Sequence, residues 1–91
     1  MIFSRKNETK NLINSIINQA ANLGLSNQNI IEVKEFVEYN ESGIALELII
    51  TQIYEYEIKI NKSFYEDVER LAKKFKMEED NYSFLIELIT D

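Results

Sequence analysis

The amino-acid sequence predicts an all-α fold, a compact bundle of about five short helices around a central apolar helix, in one domain spanning residues 1–91. Three observations lead there. Apolar residues recur at steps of three and four along most of the chain, the spacing that lays one stripe along a helix. The chain has no Pro, and its only glycines, Gly24 and Gly43, fall between such stretches as helix boundaries. Only one stretch, Tyr54 to Ile60, alternates apolar and polar residues with period two. A strand without a partner is not stable, so it reads as a linker.

The first helix runs from about Asn7 to Leu23, with Leu12, Ile13, Ile16, Ile17, Ala20 and Ala21 on the stripe expected to be buried. Gly24 can take the backbone conformation that closes a helix, and Leu25 follows where a C-terminal apolar contact is expected. Ser26 is then an acceptor for the free amides of a second helix, and Leu25 and Ile30 are spaced as a hydrophobic staple across its start. Ile30, Val33, Phe36 and Val37 form the inner face of this helix; Glu32, Glu35 and Glu38 fall on or beside the outer one. Asn40 to Gly43 is the turn after it.

From Ile44 to Tyr56 apolar residues cover nearly the whole circumference, leaving Glu47, Thr51 and Glu55 as the main polar stripe. Such a helix needs neighbours on most sides and is the central one. Asn61 caps the fourth helix, with Ile60 and Tyr65 as a second staple and Phe64, Val68, Leu71, Ala72 and Phe75 facing inward. Arg70, Lys73, Lys74 and Lys76 gather toward its C-terminal end, where cations suit the helix dipole. Glu78, Glu79 and Asp80 introduce a last helix, whose inner face is expected to be Tyr82, Leu85, Ile86 and Ile89.

Composition narrows the function. With no His and no Cys, the chain lacks the commonest general base, the commonest metal ligand and any thiol nucleophile, so it is expected not to be an enzyme and to use no cofactor. Glu35, Glu38 and Glu41 at three-residue steps raise the alternative of a carboxylate or metal-dependent enzyme, but acids so spaced on an amphipathic helix form its solvated face. The polar start Met1–Glu8 and the shortness of the apolar runs give no expected signal peptide or membrane span, and the absence of Cys fits a reducing compartment, so a cytoplasmic location is expected. Five Phe and five Tyr in a chain this small also raise weak self-association.

The net charge is −6, from 16 acidic and 10 basic residues, which disfavours direct contact with nucleic acid or an anionic membrane and favours a basic protein partner. The charge is unevenly spread. Glu32, Glu35, Glu38, Glu41, Glu47, Glu55 and Glu57 face a single base, Lys34, between Leu25 and Glu57. Tyr39, Tyr54 and Tyr56 lie among these acids, and tyrosine beside carboxylates suits contact with Lys or Arg across an interface. Helical spacing predicts that at least one of Tyr54 and Tyr56 packs inside.

The stretch Glu35-Phe36-Val37-Glu38-Tyr39-Asn40-Glu41-Ser42-Gly43-Ile44-Ala45-Leu46-Glu47 resembles the signature of the MafI-type immunity proteins, an acid-flanked Phe, a polar turn, then Ala-Leu-Glu opening an apolar helix. Ile60-Asn61-Lys62-Ser63-Phe64-Tyr65 and Leu71-Ala72-Lys73-Lys74-Phe75-Lys76-Met77 are similar to that family's next helix and its closing turn. The likeness covers about Ile30 to Ile89 and leaves the first helix unplaced. It implies an immunity protein whose partner is a cognate toxin, typically the basic C-terminal nuclease domain, EndoU-type or another RNase, of a polymorphic toxin delivered by secretion or contact. No catalytic residue carries over. With the charge pattern, the expected partner-binding residues are Glu35, Glu38, Tyr39, Glu41, Glu47, Glu55, Tyr56 and Glu57. The alternative is a helical adaptor that binds another protein through the same face.

Overall fold

A computed structural model describes residues 5–90. The polar start at Met1–Ser4 lies outside the described residues. Four α-helices, α1 (Arg5–Leu23), α2 (Asn27–Glu38), α3 (Ser42–Glu55) and α4 (Lys62–Lys74), are followed by two 3-10 helices, Glu79–Asn81 and Ser83–Leu88. The all-α expectation holds, with the two 3-10 helices in the place of a fifth helix.

The expected caps are present. The Ser26 hydroxyl accepts from the Asn29 amide at 3.2 Å, and the Asn61 side chain accepts from the Phe64 amide at 2.7 Å. Gly24 closes α1 with φ +121, and the Leu25 amide donates back to the Ala20 carbonyl at 2.9 Å. Three further helix ends use the same six-residue closure with a non-glycine residue at positive φ. These are Asn40 after α2, Glu57 after α3 and Lys76 after α4. In each, the next residue's amide reaches back, from Glu41 to Phe36 at 2.8 Å, from Ile58 to Ile53 at 3.0 Å and from Met77 to Ala72 at 2.9 Å. Gly43 differs from the expectation. It lies inside the first turn of α3, and the left-handed turn residue before that helix is Asn40.

Short connections make the four helices run up, down, up and down. At one end Thr9 and Lys10 of α1, the Asn40–Gly43 turn and Phe75 line one hollow; at the other Gly24, Ser26 and Asn29 meet Tyr56 and Ile58. α3 packs against α1, α2, α4 and the second 3-10 helix, which makes it the central helix. Ala45, Leu46, Ile49, Ile50 and Ile53 supply its buried face. Ile13, Ile16, Ile17 and Ala20 face them from α1, but Ala21 is exposed and Leu12 only half-buried, so the α1 stripe is narrower than its sequence implies. The Gln19 side-chain amide donates to the Asp67 carboxylate at 2.9 Å and ties α1 to α4.

The C-terminal segment departs from the expected α-helix. Tyr82, Leu85 and Leu88 are buried, a step of three that matches the 3-10 repeat, while Ile86 is 55 % exposed and Ile89 half-buried. The segment ends on the connection between α3 and α4; of the expected Tyr54–Ile60 linker, Tyr54 and Glu55 belong to α3, and the rest is not a strand but finds a partner at its last residue. Ile60 and Ile89 form one parallel bridge, in which the Ile60 amide donates to the Leu88 carbonyl at 3.0 Å and the Thr90 amide to the Ile60 carbonyl at 2.9 Å.

Candidate protein-binding surface

All seven glutamates between Leu25 and Glu57 are exposed. None of them makes an ion pair among the described residues. The three ion pairs found there lie on α1 and α4: Arg70–Asp67 at 3.5 Å, Lys73–Glu69 at 4.0 Å and Lys74–Glu8 at 3.6 Å. The α2–α3 hairpin therefore carries its negative charge uncompensated by close contacts.

That charge also sits where the backbone disfavours it. The C-terminal end of a helix bears a partial negative charge, so acids there are unfavourable and bases favourable. α4 follows the rule, with Lys73 and Lys74 in its last turn. α2 and α3 have neither an acid in the first turn nor a base in the last, and they place Glu35 and Glu38, and Glu55, at their C-terminal ends. Glu57 follows α3 at φ +50, which compounds charge repulsion with backbone strain.

The expected binding residues do not gather in one place. Glu35, Glu38, Tyr39 and Glu41 stand at the turn between α2 and α3, and Glu47 one to two turns into α3. Glu55, Tyr56 and Glu57 stand at the far end of α3, about 20 Å away by the rise of a 14-residue helix. The first group shares its end of the bundle with Lys10 and the basic end of α4. Glu35, Glu38 and Glu41 do not converge as a cation site would need, since no group of three or more acids among the described residues is placed to hold a metal.

The tyrosines are corrected in part. Neither Tyr54 nor Tyr56 packs inside; they are 43 % and 61 % exposed, and Tyr39 is 77 % exposed. Tyr54 instead lies edge-on to Phe84 of the second 3-10 helix, ring centres 4.6 Å apart. Sequence reasoning missed Phe84 and Glu87 as neighbours of the α3 outer stripe. The signal was available in the three-residue step of Tyr82, Leu85 and Leu88, which puts Phe84 and Glu87 together on the other side.

Two open hollows flank the Tyr54–Phe84 pair. One is lined by Glu47, Ile50, Thr51, Met77, Asn81 and Phe84, the other by Tyr54, Glu55, Glu57, Lys59, Glu87 and Leu88. No described helix is long and apolar enough to cross a membrane. The chain matches no protein-family model, no curated protein and no solved structure.

Proposed function

We propose that this chain is an immunity protein that binds and neutralises a cognate bacterial toxin, a basic nuclease domain, in the cytoplasm of the producing cell. The observation that carries the reading is the run from α2 to the turn after α3, with seven exposed glutamates that make no ion pair among the described residues, several at helix ends where they oppose the dipole. Charges that cost local stability and have no internal partner serve an external one. Tyr39, Tyr54 and Tyr56, exposed among them, supply apolar contact area with a hydrogen-bonding tip. The resemblance of Glu35 to Glu47 to the MafI-type signature supports a toxin as that partner.

A nuclease needs a positive cleft for phosphates, and an acidic helical hairpin can cover that cleft or its rim. Substrate is then excluded by bulk and by charge. No chemistry on this chain is required. The experiment is to co-express the chain with the product of the adjacent upstream gene, purify the pair, and measure RNA cleavage with and without the chain. Stoichiometric binding with loss of cleavage is the expected result; a toxin that neither binds nor loses activity refutes the reading.

A further inference from the structure

We infer that the hollow where Gly24, Ser26 and Asn29 meet Tyr56 and Ile58 is a binding site for a primary carboxamide, the group that an Asn or Gln side chain of a partner presents. Its volume is about 420 Å³. The inference goes beyond the proposed function and holds whatever protein the acidic hairpin meets.

The pattern of α2 supplies the first reason. Asn29 precedes Val33 by four residues and Val37 by eight, so it falls on the inner stripe, where a packed helix wants an apolar residue. It is 8 % exposed, and no other polar residue except tyrosine is so buried among the described residues. Its backbone amide donates to the Ser26 hydroxyl at 3.2 Å, but its side-chain amide makes no hydrogen bond among the described residues. Among those residues, the only side-chain polar atom sealed from solvent without a partner is Gln52 Oε1. Both polar atoms of the Asn29 side chain are therefore unpaired yet open, and the hollow is where they open. A buried amide without partners costs free energy, and a residue that breaks the pattern of its helix at such a cost marks a site for something outside.

The chemistry of the hollow selects the ligand. An unpaired carboxamide presents an acceptor and a donor side by side. An anion can use only the donor and sets its charge against the acceptor, and a cation does the reverse. A second carboxamide uses both: its carbonyl accepts from Asn29 Nδ2 and its amino group donates to Asn29 Oδ1. No charged residue lines the hollow, and Glu55 and Glu57, on either side of Tyr56 in the chain, line a different one. The Ser26 hydroxyl keeps its hydrogen for the second lone pair of a ligand carbonyl, while Tyr56 and Ile58 supply an apolar wall for the ligand's stem.

The test uses the full chain, isotopically labelled, titrated with benzamide, benzoate and benzylamine, which share an aromatic body and differ in the charge of the head group. Benzamide is expected to shift the Asn29 side-chain amide signals and the backbone amides of Gly24, Ser26 and Tyr56, and to bind about fivefold tighter than either charged probe. In Asn29→Ala that preference should vanish while the thermal midpoint stays within about 5 °C of the parent, because the side chain holds no bond inside the chain. A charged probe that binds as tightly as benzamide, shifts centred elsewhere, or no saturable binding of benzamide overturns the inference. A larger fall of the midpoint in Asn29→Ala also overturns it, since Asn29 then has a structural partner. None of these readouts involves a toxin, so failure here leaves the proposed function standing.

Discussion

At the scale of single residues, backbone conformation and burial give two measurable consequences. Gly24 has φ +121, and a Cβ built there meets no atom within 4 Å, so Gly24→Ala isolates the backbone cost from any steric one. It should lower stability by about 1–2 kcal/mol. Glu57→Gly should do the opposite, by about 1 kcal/mol, since it relieves positive φ and removes an acid from the end of α3. In thermal melts of a chain this size, a change of 1 kcal/mol moves the midpoint by about 4–8 °C. Midpoints that shift in the same direction for both variants would refute the account. Tyr65 and Tyr82 give the second consequence. Burial, more than the nearby Glu69 and Glu79, pushes both hydroxyls above the ordinary tyrosine value of 10.0. A raised value in the folded state means that the neutral form is the one accommodated. The stability tied to it is complete below pH 10.0 and is lost as pH rises through the folded values. The double variant Tyr65→Phe/Tyr82→Phe should therefore resist unfolding above pH 10.0 better than the parent, as followed by circular dichroism across an alkaline titration.

At the scale of elements, legibility followed how local the determining physics is. Ser26 and Asn61 announce α2 and α4 because a cap is a bond to an amide three residues on, and both bonds form. The inner faces of α2 and α4 were also legible: Ile30, Val33 and Val37, and Phe64, Val68, Leu71 and Ala72, are buried as their spacing required. The C-terminal segment was misjudged because Tyr82, Leu85, Ile86, Leu88 and Ile89 satisfy repeats of 3.6 and 3.0 residues almost equally over so short a run. The choice was made by tertiary contacts, the Ile60–Ile89 bridge and the Tyr65–Tyr82 ring pair at 6.2 Å, and neither is local. The candidate surface was half legible for the same reason. Its acids lie close in sequence, but Phe84 and Glu87 join them only through folding. Two substitutions distinguish the registers. Leu88→Ala should cost about 2–4 kcal/mol in urea unfolding, since Leu88 is only 6 % exposed, whereas Ile86→Ala should change little because Ile86 is 55 % exposed. An α-helical register over Tyr82 to Ile89 predicts the reverse order.

At the scale of the whole molecule, the asymmetry of charge separates attraction at a distance from contact at close range. The α2–α3 hairpin holds Glu32 to Glu57 with Lys34 as its one base, while α1 and α4 hold the ion pairs, so the molecule presents unlike sides to an approaching partner. A field of this kind accelerates encounter and is screened over about 8 Å at physiological salt. Glutamates anywhere on the hairpin contribute to it, but only those at the interface also hold the complex once formed. Charge reversal of Glu35 and Glu38 should therefore slow association with the proposed toxin partner and weaken its inhibition at low salt, with a smaller effect as salt is raised. Stopped-flow association at two salt concentrations measures the effect. An association rate indifferent to reversal of Glu35 and Glu38 at low salt would remove the hairpin's field from the mechanism.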